Sequence, residues 1–392
     1  MKEPPSLALG SLARSQSATR RSCLGIAGAV AASAALARPS RAQPVIGLPS
    51  LREEAAAKGF RYGAHPYNYP PHRMPDLDQL VAEQCGLVAP VLNWPLVSPT
   101  QDAFDSAADK GVVALAEAQR MLLTGAHLLW FAAVPGWFRA LSGPDAARAA
   151  IEAHIRRMGA AFASRTWSVN VINEALNPGD QRTDGLRIDP FLQAVGPGYW
   201  DTAFQAARVA FPDSLLVYND TGMEQDGGDM LARRRALLDR IDALLKRGTP
   251  VDAVGLQSHL TLTRPFDPAS YRAFLADIAG RGLKVVVSEL DVTDDNAAGA
   301  EATGTIEDRD CAAAAMYRRY LDAALAEPAV AAVVTWGLSD RQSWITARRQ
   351  RWFLHRGRPP PRPLPFDADL NPKPAFDAII EAFRAAPQRQ LR

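Results

Sequence analysis

Cysteine is scarce in this 392-residue chain, which carries only Cys23, Cys85 and Cys311. Three separated thiols without nearby histidines exclude a disulfide framework and argue against a zinc site. A chain of this size buries enough apolar surface to need no cross-links. Cys85 and Cys311, set in apolar or Ala-rich segments, therefore read as buried thiols rather than a bridge. Charge of one sign is also lacking: 44 Lys and Arg stand against 42 Asp and Glu. That balance leaves no basic field for nucleic acid to recognise. A glycine-rich phosphate turn is missing after the first strand-like segment, where Tyr62-Gly63-Ala64-His65-Pro66 stands instead. Its absence counts against a doubly wound, dinucleotide-binding sheet.

The first 42 residues differ from the rest. Thr19-Arg20-Arg21-Ser22-Cys23-Leu24 is followed by an Ala-rich run to Ala37 and by Ser40-Arg41-Ala42. This pattern reads as a twin-arginine export signal over 1–42 with a small-residue cleavage site. Its apolar run is too short to span a bilayer, so no membrane association is expected after cleavage, and the mature chain is expected to be exported to the periplasm or beyond. Cleavage removes six basic residues and one acidic one, taking the net charge from +2 to −3.

From Phe60 onward, strand-like and helix-like segments alternate. Eight apolar strands begin near Phe60, Gly86, Leu122, Trp167, Ser214, Val251, Lys284 and Val330, each followed by a helical pattern, the last from Pro372 to about Ala385. Strict alternation of this kind predicts a parallel sheet covered by helices, and eight repeats close into a single α/β (β/α)8 TIM barrel over 43–392. Such barrels carry their sites at the C-terminal ends of the strands.

Two of those ends stand out. Val285-Val286-Val287-Ser288-Glu289-Leu290-Asp291 runs from a buried strand straight into a carboxylate, and Trp167 to Glu174 ends in an Asn173-Glu174 pair. Val254-Gly255-Leu256-Gln257-Ser258-His259 also closes on polar residues. Two carboxylates facing each other across a pocket are what glycosidic bond cleavage requires, one to protonate the leaving oxygen and one to attack or to activate water.

Taken together, Trp167 to Leu176, Tyr218-Asn219-Asp220, Gly255 to Leu260, Ser288 to Val292, Trp336 to Trp344 and Asn371 to Phe376 closely resemble the family-10 glycoside hydrolases, the retaining endo-β-1,4-xylanases. The resemblance runs in order from about Phe60 to the C-terminus. It implies Glu174 as general acid/base and Glu289 as nucleophile, with Asn173 on the sugar 2-hydroxyl. It further implies that His259 bonds Glu289, that Asp291 fixes the charge of His259, and that Gln257 helps orient the same group. Trp336 and Trp344 would offer aromatic faces to the sugar rings. Cofactors and metals are not implied, and a monomer acting on a poly- or oligosaccharide is expected.

The glycone side departs from the family. Where the family has Glu-Asn-x-x-Lys-Trp, this chain has Ala89-Pro90-Val91-Leu92-Asn93-Trp94. Where it has Gly-His-Thr-Leu-x-Trp-His, this chain has Gly125 to Phe131, with Ala126 and Phe131 at the histidine positions. His127 is one place out of register and, by strand alternation, is expected to face away. Asn219-Asp220 is followed by Thr221-Gly222 rather than Tyr-Asn. Asn93, Trp94 and Trp130 remain as candidate sugar contacts. An Arg- and Pro-rich stretch after the eighth strand holds Arg348, Arg349, Arg351, Arg356, Arg358 and Arg362, and reads either as a solvated excursion or as a contact for an acidic substituent such as a glucuronate. The expectation is thus an exported glycosidase that cleaves internal β-1,4 bonds of xylan or a related polysaccharide. The alternatives are a retaining hydrolase of another β-linked glycan, or a glycan-binding barrel without turnover.

Overall fold

Apolar β-branched runs buried on both faces can satisfy their backbone only by pairing side by side, and the computed structural model shows them doing so. It describes residues 47–67, 74–293, 304–346 and 360–390. Its strands are β1 (Arg61–Ala64), β2 (Leu87–Val88), β3 (Leu122–Leu123), β4 (Ala126–Trp130), β5 (Ser168–Asn173), β6 (Leu215–Asp220), β7 (Ala253–Leu256), β8 (His259–Thr261), β9 (Lys284–Thr293) and β10 (Val330–Thr335). All pairings between these strands are parallel, in the order β3-β2-β1-β10-β9-β7-β6-β5-β4, with β8 extending alongside β9.

The two ends of that order are halves of one strand. β3 pairs with β2 and β4 pairs with β5, and between them lies only Thr124-Gly125, with Gly125 at φ +70°. Trp167 N donates to the Leu123 carbonyl at 2.8 Å, so the halves close the ring. With β3 and β4 counted together and β8 as an appendage, the barrel has the eight strands that the sequence predicts. Helices expected from about Asp76, Pro144, Gly198, Asp229, Pro268, Asp308 and Pro372 form within two residues of those starts. The helix expected from Asp105 begins at Lys110, and the second strand shrinks to two residues. Short helices at Leu51–Ala57, Trp94–Val97, Gly136–Arg139 and Pro190–Val195 had no sequence signal strong enough to place them. No helix among the described residues is long and apolar enough to cross a membrane.

Side chains alternate along each strand. One set, Leu87, Trp167, Val217, Ala253, Val286, Ala332 and Val334, packs together inside the barrel. The other, including Val285, Val287, Val254, Leu256 and Val333, packs outward under the helices. Cys85 is a fully buried thiol, as expected, whereas Cys311 is only half-buried because it lies near the exposed start of the Ile306–Leu325 helix.

Two interruptions of this alternation place the site. Against β10, Val287 pairs with Val333 but Leu290 pairs with Thr335, so β9 carries one extra residue between them. Against β6, Asn170 pairs with Val217 but Ile172 pairs with Tyr218, an extra residue on β5. Bulges of this kind re-aim the side chains beyond them. Strict alternation from Val286 would turn Glu289 outward, and the β9 bulge turns it in.

Candidate active site

A cavity of about 480 Å³ opens at the C-terminal ends of the strands, lined by residues that include Glu174, Gln257, His259, Glu289, Trp336 and Trp344. Glu289 is buried at its inner end. Its Oε1 accepts from Asn219 Nδ2 at 2.8 Å and lies 3.6 Å from His127 Nε2. Its Oε2 lies 3.4 Å from His259 Nε2, and His259 Nδ1 lies 3.0 Å from Asp291 Oδ1. Burial pushes the Glu289 carboxyl up, but the two imidazoles outweigh it and hold the group at about 2. For His259, burial disfavours the cation, yet Asp291 and Glu289 together raise its pKa well above the ordinary value. An ionised carboxylate beside a cationic imidazole is the state this geometry selects.

Glu174 sits in different company. It follows β5 at φ +57°, a left-handed conformation that costs a non-glycine residue about 1–2 kcal/mol. Surrounding bonds hold it there: its N–H donates to the Asn219 carbonyl at 2.8 Å, and its carbonyl accepts from Arg187 Nε at 2.7 Å. Its Oε1 accepts from Gln257 Nε2 at 2.9 Å and from Asn173 Nδ2 at 3.2 Å. Asn219 Nδ2 also donates to Asn173 Oδ1 at 2.8 Å. A chain of carboxamides thus joins the two carboxylates, from Glu289 through Asn219 and Asn173 to Glu174. Ser288 fixes Asn219 by donating to its Oδ1 at 2.6 Å. Gly255 leaves the room this needs, since a Cβ there would lie 2.2 Å from Asn219 Oδ1.

Support comes from behind as well. Ser258, at φ +64°, is pinned by a 2.9 Å bond from its N–H to Glu224 Oε1 and a 2.7 Å bond to the Tyr320 hydroxyl. This holds Gln257 and His259 toward the cavity. Asp220 lies outside the barrel wall, fully buried, where it accepts from the N–H groups of Leu176 and Thr221 and from Tyr218. Burial pushes it up to about 7, with Arg233 opposing. It ties the loop after Glu174 to the end of β6.

Several expectations need correction. Gln257 bonds Glu174 and not the Glu289–His259 pair, because β7 delivers it on the side of Asn173. His127 does not face away: it lines the cavity and meets Glu289. The strand restarts after Gly125, so its facing is set by pairing with Asn170 on β5, not by counting from the previous segment. Trp94 is no sugar contact. It is buried at 1% exposure, stacked on His154 at 4.2 Å under the Pro144–Phe162 helix. Arg362 is engaged by Asp310, with Nε–Oδ1 at 2.9 Å and Nη2–Oδ2 at 2.8 Å, so it does not reach toward a substrate. The other five arginines of that stretch, and residues 1–42, lie outside the described residues.

Trp130, Trp336, Trp344 and Asn93 all line the cavity. Trp344 Nε1 donates to Asp291 Oδ2 at 2.7 Å, which fixes its ring at the rim. Two residues of the site were missed. Asn219 was visible within its motif but was not singled out. His65 follows β1, donates from Nδ1 to the Ala89 carbonyl at 2.8 Å and stacks on Trp336 at 4.2 Å. Its position at a strand end was the available signal. Among the described residues no group of three His, Cys, Asp or Glu is arranged to hold a metal ion.

A parallel barrel that joins two strand-end glutamates through carboxamides, one carboxylate between imidazoles and the other among neutral amides, defines a glycoside hydrolase, an enzyme that hydrolyses O-glycosyl bonds. The chain belongs to the family described as glycosyl hydrolase family 10, which it matches over residues 50–382. It is 30% identical over 341 residues to endo-1,4-beta-xylanase A of Thermoanaerobacterium saccharolyticum, covering 82% of this chain but 27% of that larger protein. It is 27% identical over 294 residues to endo-1,4-beta-xylanase B of Thermotoga neapolitana, covering 74% of this chain and 78% of that one. The solved structure of xylanase 10B from Thermotoga petrophila in complex with xylobiose superposes with a TM-score of 0.75 at 26% identity, covering 86% of this chain and 97% of the other.

Proposed function

We propose that this enzyme cleaves internal β-1,4 bonds of xylan or a closely related plant cell-wall glycan by double displacement, with Glu289 as nucleophile and Glu174 as acid/base. The observation that carries this reading is the contrast between the two carboxylates: Glu289 lies between two imidazoles, whereas Glu174 receives only neutral amide donors. Retaining enzymes hold such a pair about 5 Å apart so that the second carboxylate attacks the anomeric carbon directly. Asn173 would donate to the 2-hydroxyl, and Trp336, Trp344, Trp130 and Asn93 would receive the sugar rings. The xylobiose-bound neighbour supports an oligosaccharide in this cleft. We further infer export through the twin-arginine pattern at Arg20-Arg21; loss of export in an Arg20→Lys, Arg21→Lys variant would test it.

A second reading keeps the chemistry and changes the glycan. It is favoured by Pro90 and Asn93, which line the cavity where the resemblance calls for an amide and a lysine. The experiment that separates the readings is reducing-sugar release by the protein from β-1,4-xylan and a panel of other β-glycans, with Glu289→Ala as control. Release from xylan, abolished in the control, is the expected result. Release from another glycan alone would move the substrate, and binding without release on every glycan would overturn the enzymatic reading.

A further inference from the structure

We propose that His127 is a positioning residue for the nucleophile, holding Oε1 of Glu289 from the β4 side as His259 holds Oε2 from the β8 side. The proposal rests on the assignment of Glu289 as nucleophile. Three observations carry it. His127 Nε2 is buried, has no hydrogen-bond partner among the described residues and lies 3.6 Å from Glu289 Oε1. A buried polar nitrogen left without a partner is destabilising, so a short movement that closes this contact is favoured. Catalytic hydrogen bonds in unliganded sites are often long and tighten when substrate is bound. Second, Asn219 already donates to the same oxygen at 2.8 Å, and the two donors come from different strands. Third, the strand break at Thr124-Gly125 lets β4 present His127 inward opposite Asn170, with Ala126 turned into the outer core.

The groups that face Glu289 are then His127 from β4, Asn219 from β6, His259 from β8 with Asp291 of β9 behind it, and His65 beyond β1. Glu174 communicates through Asn173 and Asn219. Only His259 has a second carboxylate to anchor it. Among the described residues Glu289 is the one carboxylate paired with His127, whose ring otherwise packs against Trp130 and Trp336, so its contact is the one that a bound sugar can tighten.

The test is His127→Ala beside His127→Gln, which keeps an N–H donor. Each is assayed on an aryl β-glycoside whose activated leaving group needs no acid, and the Glu289 carboxyl is titrated by carbon NMR. The expected result is a kcat lower by about 10- to 100-fold in His127→Ala with KM little changed, partial recovery in His127→Gln, and a Glu289 titration moved to higher pH in His127→Ala. A loss confined to KM with the titration unmoved would make His127 a sugar contact and overturn the proposal. Unchanged kinetics and titration would overturn it too, leaving only a lining residue. The titration needs no turnover, so it is readable even if no tested glycoside is hydrolysed, an outcome that would count against the assignment of Glu289 instead.

Discussion

The two halves of the cavity are built on different principles. From β5 round to β9 it is a network: Glu174, Asn173, Asn219, Glu289, His259 and Asp291 each touch the next, and Gln257, Ser288 and Ser258 support them. From β1 to β4 it is a wall of rings and aliphatic groups, including His65, Pro90, Val91 and Trp130, whose one side-chain hydrogen bond among these four runs from His65 to the Ala89 carbonyl within the described residues. A reaction fixes positions to fractions of an ångström, whereas a sugar can be gripped in many ways. The half that does the chemistry can therefore stay matched to its family while the half that selects the glycan is rebuilt.

The comparison breaks most severely at Gly255. Replacing it with Ala would drive a Cβ into Asn219 Oδ1, and turnover is expected to fall by at least about 100-fold, because Asn219 serves both carboxylates. Steady-state kinetics checks this; an unchanged kcat would mean that the carboxamide chain is dispensable.

Next comes His259→Ala, expected to lower kcat by about 10- to 100-fold and to move the acid limb of kcat/KM to higher pH. The signs follow from the shifts. Glu289 is held near 2, so its contribution to stability is present above about pH 4.3, the unfolded carboxylate value, and is lost as pH falls toward about 2. His259 is raised, so its contribution is present below about pH 6.5 and is lost as pH rises through its higher folded value. Both are full between about pH 4.3 and 6.5. Thermal melts of both proteins across pH 3 to 9 should therefore differ most in that window.

The tryptophans sharpen the contrast between wall and core. Trp94→Ala is expected to cost about 3–5 kcal/mol of stability and to leave KM unchanged once the protein is folded. Trp130→Ala should do the opposite, raising KM about 3- to 10-fold with little change in the melting temperature. Smallest of all is Arg362→Ala, which should cost about 1 kcal/mol through its pair with Asp310. It should leave the ratio of rates on glucuronate-bearing and neutral xylans unchanged. A changed ratio would return this arginine to the substrate.

Legibility in the sequence follows the same division. The barrel could be read because eight apolar runs alternate with helical patterns, and Glu174 and Glu289 could be read because a carboxylate ending such a run is conspicuous. Asn173, His259 and Asp291 came with their motifs. What failed was facing. Counting by twos put His127 on the wrong side, since a strand broken at a glycine takes its facing from its new partner. Trp94 failed differently: matching a motif position says nothing about burial once the residues around it have changed. His65 carried no signal beyond its place after β1.

The extra residue in β9 gives Glu289 an unusual kind of specification. Ser288 and Glu289 both turn inward because two residues, not one, lie between Val287 and Leu290. Deleting Ser288 would restore strict alternation and leave Glu289 facing inward directly after Val287, yet it would draw the carboxylate about 3.3 Å back along β9 and remove the hydroxyl that fixes Asn219. In this strand the position of Glu289 is written in spacing, and a change of length there is equivalent to a change of residue.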